Sequence, residues 1–110
     1  MFQKMLQGGG GGGYQFFDDA INVDSYSANL EVGKDYFLYM AGISNDENLS
    51  VDKMGISNAD ITAIRILYQL ANYISILKIK PTSNNVGINP TFAKLSTYSK
   101  IQMLGIFELI

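Results

Sequence analysis

Residues 61–79, ITAIRILYQLANYISILKI, make a run too long and too apolar to be left on a surface, so the fold has to bury much of it. The run divides at Ala71 and Asn72 into two segments of strand length, each rich in Ile and Tyr and both ending before Pro81. Two adjacent strands are the expectation, forming the centre of a β-sandwich or a small barrel. A helix is the competing reading: Asn58 or Asp60 could cap it, and Ile64, Leu67, Ala71, Ile74 and Lys78 fall at helical spacing. Yet Ile61, Ile66, Leu70, Tyr73, Ile76 and Ile79 would then spread around the cylinder, and a short chain has little left with which to bury a helix on all sides. As strands, Ile64, Ile66 and Tyr68 oppose Arg65, Leu67 and Gln69, while Ile74 and Ile76 oppose Tyr73, Ser75, Leu77 and Ile79. The abundance of β-branched residues favours the strands.

A chain of 110 residues supports one domain with a modest core. Charged residues make up 16% of it, below the roughly 25% usual for globular domains, which suggests that part of the surface is hidden in an oligomer. An uncharged polar surface of Asn, Ser and Gln would give the same figure. The net charge of -2 argues against nucleic-acid binding. With no cysteine there is neither a disulfide framework nor a thiolate metal site, and with no histidine the commonest general base and zinc ligand are missing too. No cofactor or metal is expected. The first residues, MFQKMLQ, run into glycine where a signal peptide needs a continuous apolar segment, and Arg65, Gln69, Asn72 and Lys78 interrupt the most hydrophobic region. The expectation is a soluble protein, made without an export signal and not inserted in a membrane.

Along the chain, residues 1–7 offer Phe2, Met5 and Leu6 as an amphipathic turn too short to hold a helix alone. They read as a disordered tail or as a docking peptide that orders on a partner. Residues 8–13 are six consecutive glycines without the Lys-Ser ending of a phosphate loop; they fit a flexible tether with a span on the order of 12 to 15 Å. The expected division is therefore an anchor and tether over 1–13 and a β-sandwich over 14–110.

Residues 14–17 are a short aromatic strand candidate, followed by an acidic turn and irregular stretch containing Asp18, Asp19, Asn22 and Asp24, whose spacing does not match a calcium loop. Residues 26–30 alternate as a half-buried strand, and residues 31–34 read as a turn. In residues 35–41, Tyr36, Leu38 and Met40 face one way and Phe37, Tyr39 and Ala41 the other. Both faces are apolar, so this strand is expected to be central or covered on both sides. Residues 42–53 form the main polar loop, with a candidate edge strand at 49–51. A short strand is expected at 86–88, one helical turn carrying Phe92, Leu95 and Tyr98 is an option within 91–99, and 100–110 closes the chain as a strand. Pro81 and Pro90 lie outside the expected strands. Arg65, in a hydrophobic strand, reads as a snorkelling side chain or as a subunit contact.

After the glycine-rich leader, VGKDYFLYMAG, YISILKIKPTSNNVGI and YSKIQMLGIFELI together resemble the small β-sandwich proteins among the virion genes of tailed bacteriophages, which decorate heads or form tail and fibre appendages. The pattern covers most of the chain after Tyr14. Its most telling pieces are Lys34-Asp35-Tyr36-Phe37-Leu38 after a turn, Lys80-Pro81-Thr82-Ser83-Asn84 closing a strand, and Phe107-Glu108-Leu109 at the end. The resemblance implies no catalysis, a trimeric or other symmetric homo-oligomer, and attachment to other virion proteins through a short N-terminal segment. It carries over no ligand-binding residues. A hexaglycine without a Gly-x-y repeat also departs from collagen-like fibre shafts.

The expected fold class is thus all-β, a small antiparallel β-sandwich or jelly-roll-like domain, and the expected role is a non-enzymatic virion protein, a head or tail appendage component. In that role Phe2, Met5 and Leu6 are the anchor, and Tyr36, Tyr39, Arg65, Tyr68 and Tyr73 are candidate core or subunit contacts. The alternative is a carbohydrate- or receptor-binding module acting on a host-surface glycan, with Asp46, Glu47, Asn48, Asn84 and Asn85 as candidate loop residues, each of which is also an ordinary turn former. An enzyme is the poorest fit: carboxylate pairs such as Asp18 and Asp19 are present, but the usual nucleophile and base pairs are not.

Overall fold

The computed structural model of the chain describes residues 13–110. Among them, eight strands run in order as β1 (Tyr14–Val23), β2 (Tyr26–Asn29), β3 (Tyr36–Ile43), β4 (Ile56–Ser57), β5 (Ala59–Gln69), β6 (Asn72–Pro81), β7 (Asn85–Ile88) and β8 (Ile101–Leu109). They form two antiparallel sheets, one of five strands in the order β1-β8-β3-β6-β5 and one of three in the order β2-β7-β4. The pairs β1·β8, β2·β7 and β3·β6 are those made by folding one long hairpin over on itself, so the sandwich is jelly-roll-like. Strand β5 departs from that scheme: it pairs with β6 and widens the larger sheet, leaving β4 to pair with β7 alone.

Period-two alternation decides which side chains meet. Tyr36, Leu38 and Met40 of β3 lie beside Ile79, Leu77 and Ser75 of β6, and on the other side Leu38 and Met40 lie beside Ile106 and Leu104 of β8. These residues are buried against Ala28, Val86 and Ile88 of the small sheet. Three short strands cannot cover a five-stranded face, and Leu30, Met54, Phe92 and the half-buried Leu49 and Val51 extend the cover. Three tyrosines put their rings inward while their hydroxyls find backbone partners: Tyr36 accepts from the Glu31 amide, Tyr68 donates to the Ser44 carbonyl and Tyr73 to the Lys100 carbonyl. The exception in this core is Ser75, whose buried hydroxyl has no hydrogen-bond partner among the described residues.

The expected strands at 61–79 are β5 and β6, with the faces assigned to them, except that Ile64 falls at a bulge between Ala63 and Arg65. They are not the centre of the larger sheet, however. That place belongs to β3, and β5 is an edge, because β3 has an apolar partner on both sides while β5 is exposed along most of its length. The turn is Leu70 and Ala71, both at positive φ (52° and 68°), as a two-residue hairpin of the primed type requires, although neither residue prefers that conformation.

Other expectations change. The acidic stretch after residue 17 is no irregular turn: β1 continues through it to Val23, a bulge between Phe16 and Asp18 absorbing the shift in register. Pro81 ends β6 instead of lying beyond it, at the last position, where no further ladder is needed. Residues 49–51 form no strand; a single 3-10 turn, Asp52–Met54, follows them and β4 comes after. Its closing residue Gly55 has φ 66°, and a Cβ there would sit 1.8 Å from the Asn89 carbonyl oxygen, so the close crossing with residues 89–91 demands glycine. Residues 91–99 form no helix; Phe92 turns inward onto Tyr73, edge to face at 5.4 Å.

The turn and the inter-sheet contacts carry two predictions. Replacing Leu70→Asn together with Ala71→Gly relieves two left-handed residues and is expected to raise unfolding free energy by about 1–2 kcal/mol, measured by urea denaturation. Asp18 of β1 accepts a hydrogen bond from Tyr26 of β2; that bond, with burial, pushes the Tyr26 pKa from 10.0 up to about 12. Between these values the unfolded chain holds fewer protons than the folded one, so the contribution is full below pH 10 and is lost as pH rises towards 12. Tyr26→Phe is expected to cost about 1 kcal/mol at pH 8, with the difference from the parent chain shrinking over that alkaline window.

Candidate functional site

Strand β3 is apolar on both faces, and β6 and β8 carry apolar residues on both; the small sheet covers one face of the three. The registers order the other, outer face into rows that cross the five strands. One row runs Phe16, Phe107, Phe37, Lys78, Thr62 from β1 to β5; the next runs Asp19, Gly105, Tyr39, Ile76, Arg65; the third runs Ile21, Met103, Ala41, Ile74, Leu67. The last row is wholly apolar, and Ile21 and Met103 are 67% and 48% exposed. Leu67, Ile74 and Phe16 are exposed as well. Beyond that row, Leu70 at the hairpin tip is 85% exposed.

In the aromatic row Phe107 is nearly buried although it faces outward. The Phe16 ring meets it edge on at 6.1 Å, and its own ring lies along β8 over Gly105, where a Cβ would come within 3.2 Å of it. Glycine at 105 thus lets the ring lie flat along β8, and the middle row ends in the charged side chains of Asp19 and Arg65 at opposite edges of the sheet.

Beyond the aromatic row this face carries Tyr14 and Leu109 on β1 and β8, the Tyr14 ring 4.4 Å from that of Phe37, and charged residues towards β6 and β5. Asp35, just before β3, lies 3.8 Å from the Lys78 ammonium and 3.7 Å from that of Lys80, and a cleft of about 330 Å³ is lined by Asp35, Asp60, Thr62, Lys78 and Lys80 with Ile61 and Ile79. The charges alternate and largely cancel, and exposed pairs at that length contribute little stability. A polar border to the apolar field is the simplest reading of the cleft. Elsewhere Lys34 bonds Glu108 at 2.6 Å, fastening β8 to the turn before β3, and this carboxylate raises the lysine pKa.

The candidate residues divide among different places. Arg65 and Tyr39 lie on the outer face. Tyr36 and Tyr73 are each 1% exposed inside the sandwich and Tyr68 packs against that core, so Tyr36 and Tyr73 have no surface to offer a second subunit and are core residues. Asp46, Glu47 and Asn48 lie beyond the end of β3, near the β5–β6 turn, where Ser44 donates its amide to Ala71. Asn84 and Asn85 lie at the opposite end of β6, where Asn84 holds Leu30 through two hydrogen bonds and the Asn85 carbonyl accepts from Asn58. The two groups do not converge. Asp46 is further engaged by Lys53 at 2.6 Å and by the Asn48 amide, which hold its carboxyl below the usual range. Asp18 is occupied by Tyr26, and Asp24 by Lys94 and the Lys100 amide. No cluster of three or more carboxylates suited to a metal ion occurs among the described residues. Phe2, Met5 and Leu6 lie outside the described residues.

Sequence reasoning missed Phe16, Asp19, Ile21, Ile74 and Met103 as surface residues. Part of the signal was present in the two apolar faces of β3, but they do not say which face the second sheet takes. The two faces separate energetically: Leu77→Ala, on the inner face, is expected to cost about 2–5 kcal/mol in urea denaturation, whereas Ile74→Ser and Met103→Ser, at high dilution, stay within about 1 kcal/mol of the parent. No protein-family model matches the chain, and no curated protein or solved structure matches it.

Proposed function

We propose that the chain is a non-enzymatic structural protein that works by assembly, built into a larger particle as a β-sandwich subunit. The apolar outer face carries this reading: the inner face already supplies the domain's core, so a second apolar face has no role in folding a single copy and a clear one in association. The low charge of the sequence agrees, as does its lack of His and Cys. A virion appendage of a tailed phage is the specific form we propose. It rests on the resemblance of the strand and turn strings and on the jelly-roll-like pairing, an arrangement common in viral coat domains; this is analogy at the level of fold. In that form the segment with Phe2, Met5 and Leu6 docks the subunit on other virion proteins.

Jelly rolls also serve as lectins, which keeps a carbohydrate- or receptor-binding module as the alternative. It has less support, since the loop residues proposed for it lie at two ends of the sandwich and Asp46 and Asn84 are engaged in holding their own loops. A glycan array separates the two, with binding in the absence of self-association favouring the module. Sedimentation velocity of the full chain at micromolar concentration is expected to show a closed oligomer; a monomer at 100-fold higher concentration would refute the assembly reading.

A further inference from the structure

The rows of the outer face have a symmetry that the fold itself does not require. Strand β3 is the middle of five, Tyr39 is the middle of its row, and the two ends of that row are Asp19 on β1 and Arg65 on β5. Neither Asp19 nor Arg65 makes a salt bridge among the described residues. In the neighbouring row, Ile21 and Leu67 hold the ends and Met103 and Ile74 the positions between.

Two copies can place these faces together about two axes that lie between the sheets. A two-fold axis running across the strands stacks each β1 on the partner's β1 and each β5 on the partner's β5, which opposes like charges at both edges. An axis parallel to β3 does the reverse, setting β1 of each copy over β5 of the other. Asp19 then faces Arg65 twice, Ile21 faces Leu67 and Met103 faces Ile74, with Gly105 opposite Ile76. Sheets packed this way sit about 10 Å apart and within about 30° of parallel, close enough for an arginine at an edge to reach a carboxylate on the facing strand.

The area is sufficient. At roughly 200 Å² for a fully exposed large side chain, the exposed fractions of Phe16, Ile21, Leu67, Ile74 and Met103 amount to about 500 Å² of apolar surface. That is near the upper end of what a monomer shows, about 300–600 Å². With the half-buried parts of Phe37, Tyr39 and Ile76 and the polar edges, the face approaches the roughly 800 Å² per partner of a standard interface.

We infer that the occupant of this face is a second copy of the chain, packed sheet to sheet about a dyad parallel to β3, with reciprocal Asp19–Arg65 pairs closing the two edges. The inference rests on the assembly reading and names its interface. Such a dimer is isologous, each copy using the same patch, and its apolar centre supplies affinity while the edge charges fix which of the two stackings forms.

The test is a charge exchange in the full chain, read by sedimentation equilibrium with far-UV circular dichroism as the check on folding. The parent chain is expected to give twice its 12.1 kDa mass. D19R and R65D each set like charges together at both edges and should weaken dimerisation by about tenfold or more. The combination D19R/R65D restores opposite charges with the roles exchanged and should recover parent-like dimerisation. Ile74→Lys, at the apolar centre, should leave a monomer. A dimer or higher oligomer whose strength none of these changes alters would overturn this interface while leaving assembly in place. A double variant no better than the singles would overturn the dyad. A monomeric parent, as when the chain's own first residues cover the face, would overturn both the interface and the assembly reading.

Discussion

The hydrogen-bonded ladder that seats β3 between β6 and β8 is the constraint on which the remaining structure depends. It joins a strand from the first half of the chain to one from the last ten residues and to one arm of the central hairpin, and all three strands carry apolar residues on both faces. Once they pair, one apolar face has to be covered for the domain to fold, and the small sheet with Met54 and Phe92 does this. The other face is then presented outward as a matter of geometry, because a strand with two apolar sides cannot turn both into one core. The proposed association follows from that surplus and needs no separate device.

The cover is thin, and one side-chain hydroxyl ties it to the larger sheet while others fasten the loops at that sheet's ends. The small sheet has short strands, and its connection to the larger one includes the bond from Tyr26 to Asp18. The Tyr73 hydroxyl fixes Lys100, just before β8, and Tyr68 fixes Ser44 just after β3. These tyrosines combine apolar area for the core with one directed bond to a loop, which explains their inward position better than a role in subunit contact. The cost of the arrangement shows at Ser75, where a hydroxyl is buried between larger apolar neighbours without a partner among the described residues.

Alternation made much of the fold legible. It separated strands from a helix over 61–79, assigned the faces of β6, and marked residues 35–41 as a strand needing company on both sides. Strand order was not legible, since a period of two tells which side chains share a face but not which strand lies next door; hence the hairpin, the most apolar segment, turned out to border an edge while β3 took the middle. The turn was hidden because Leu70 and Ala71 carry none of the Asn-Gly preference of their conformation. A bulge concealed the length of β1 by interrupting its alternation at Asp18. On β8, Met103, Gly105 and Phe107 face outward and Leu104 and Ile106 face inward. Gly105 and the folded-down Phe107 ring make that outer face flatter than its composition suggests. Of the proposed contact residues, Arg65 was legible as a snorkelling or subunit-contact position and Tyr39 only as a core or subunit contact, whereas Asp19 became meaningful only when the register placed it across the sheet from Arg65.

The most direct measurement is methyl NMR of the full chain at working concentration with a soluble paramagnetic agent, comparing Ile21, Leu67, Ile74 and Met103 with Leu70, which lies outside the rows and is 85% exposed. If the outer face is where the chain associates, the four face residues relax far more slowly than Leu70, and the protection fades on dilution. If all of them relax as strongly as Leu70 at every concentration, the face is open to water and the central claim is contradicted.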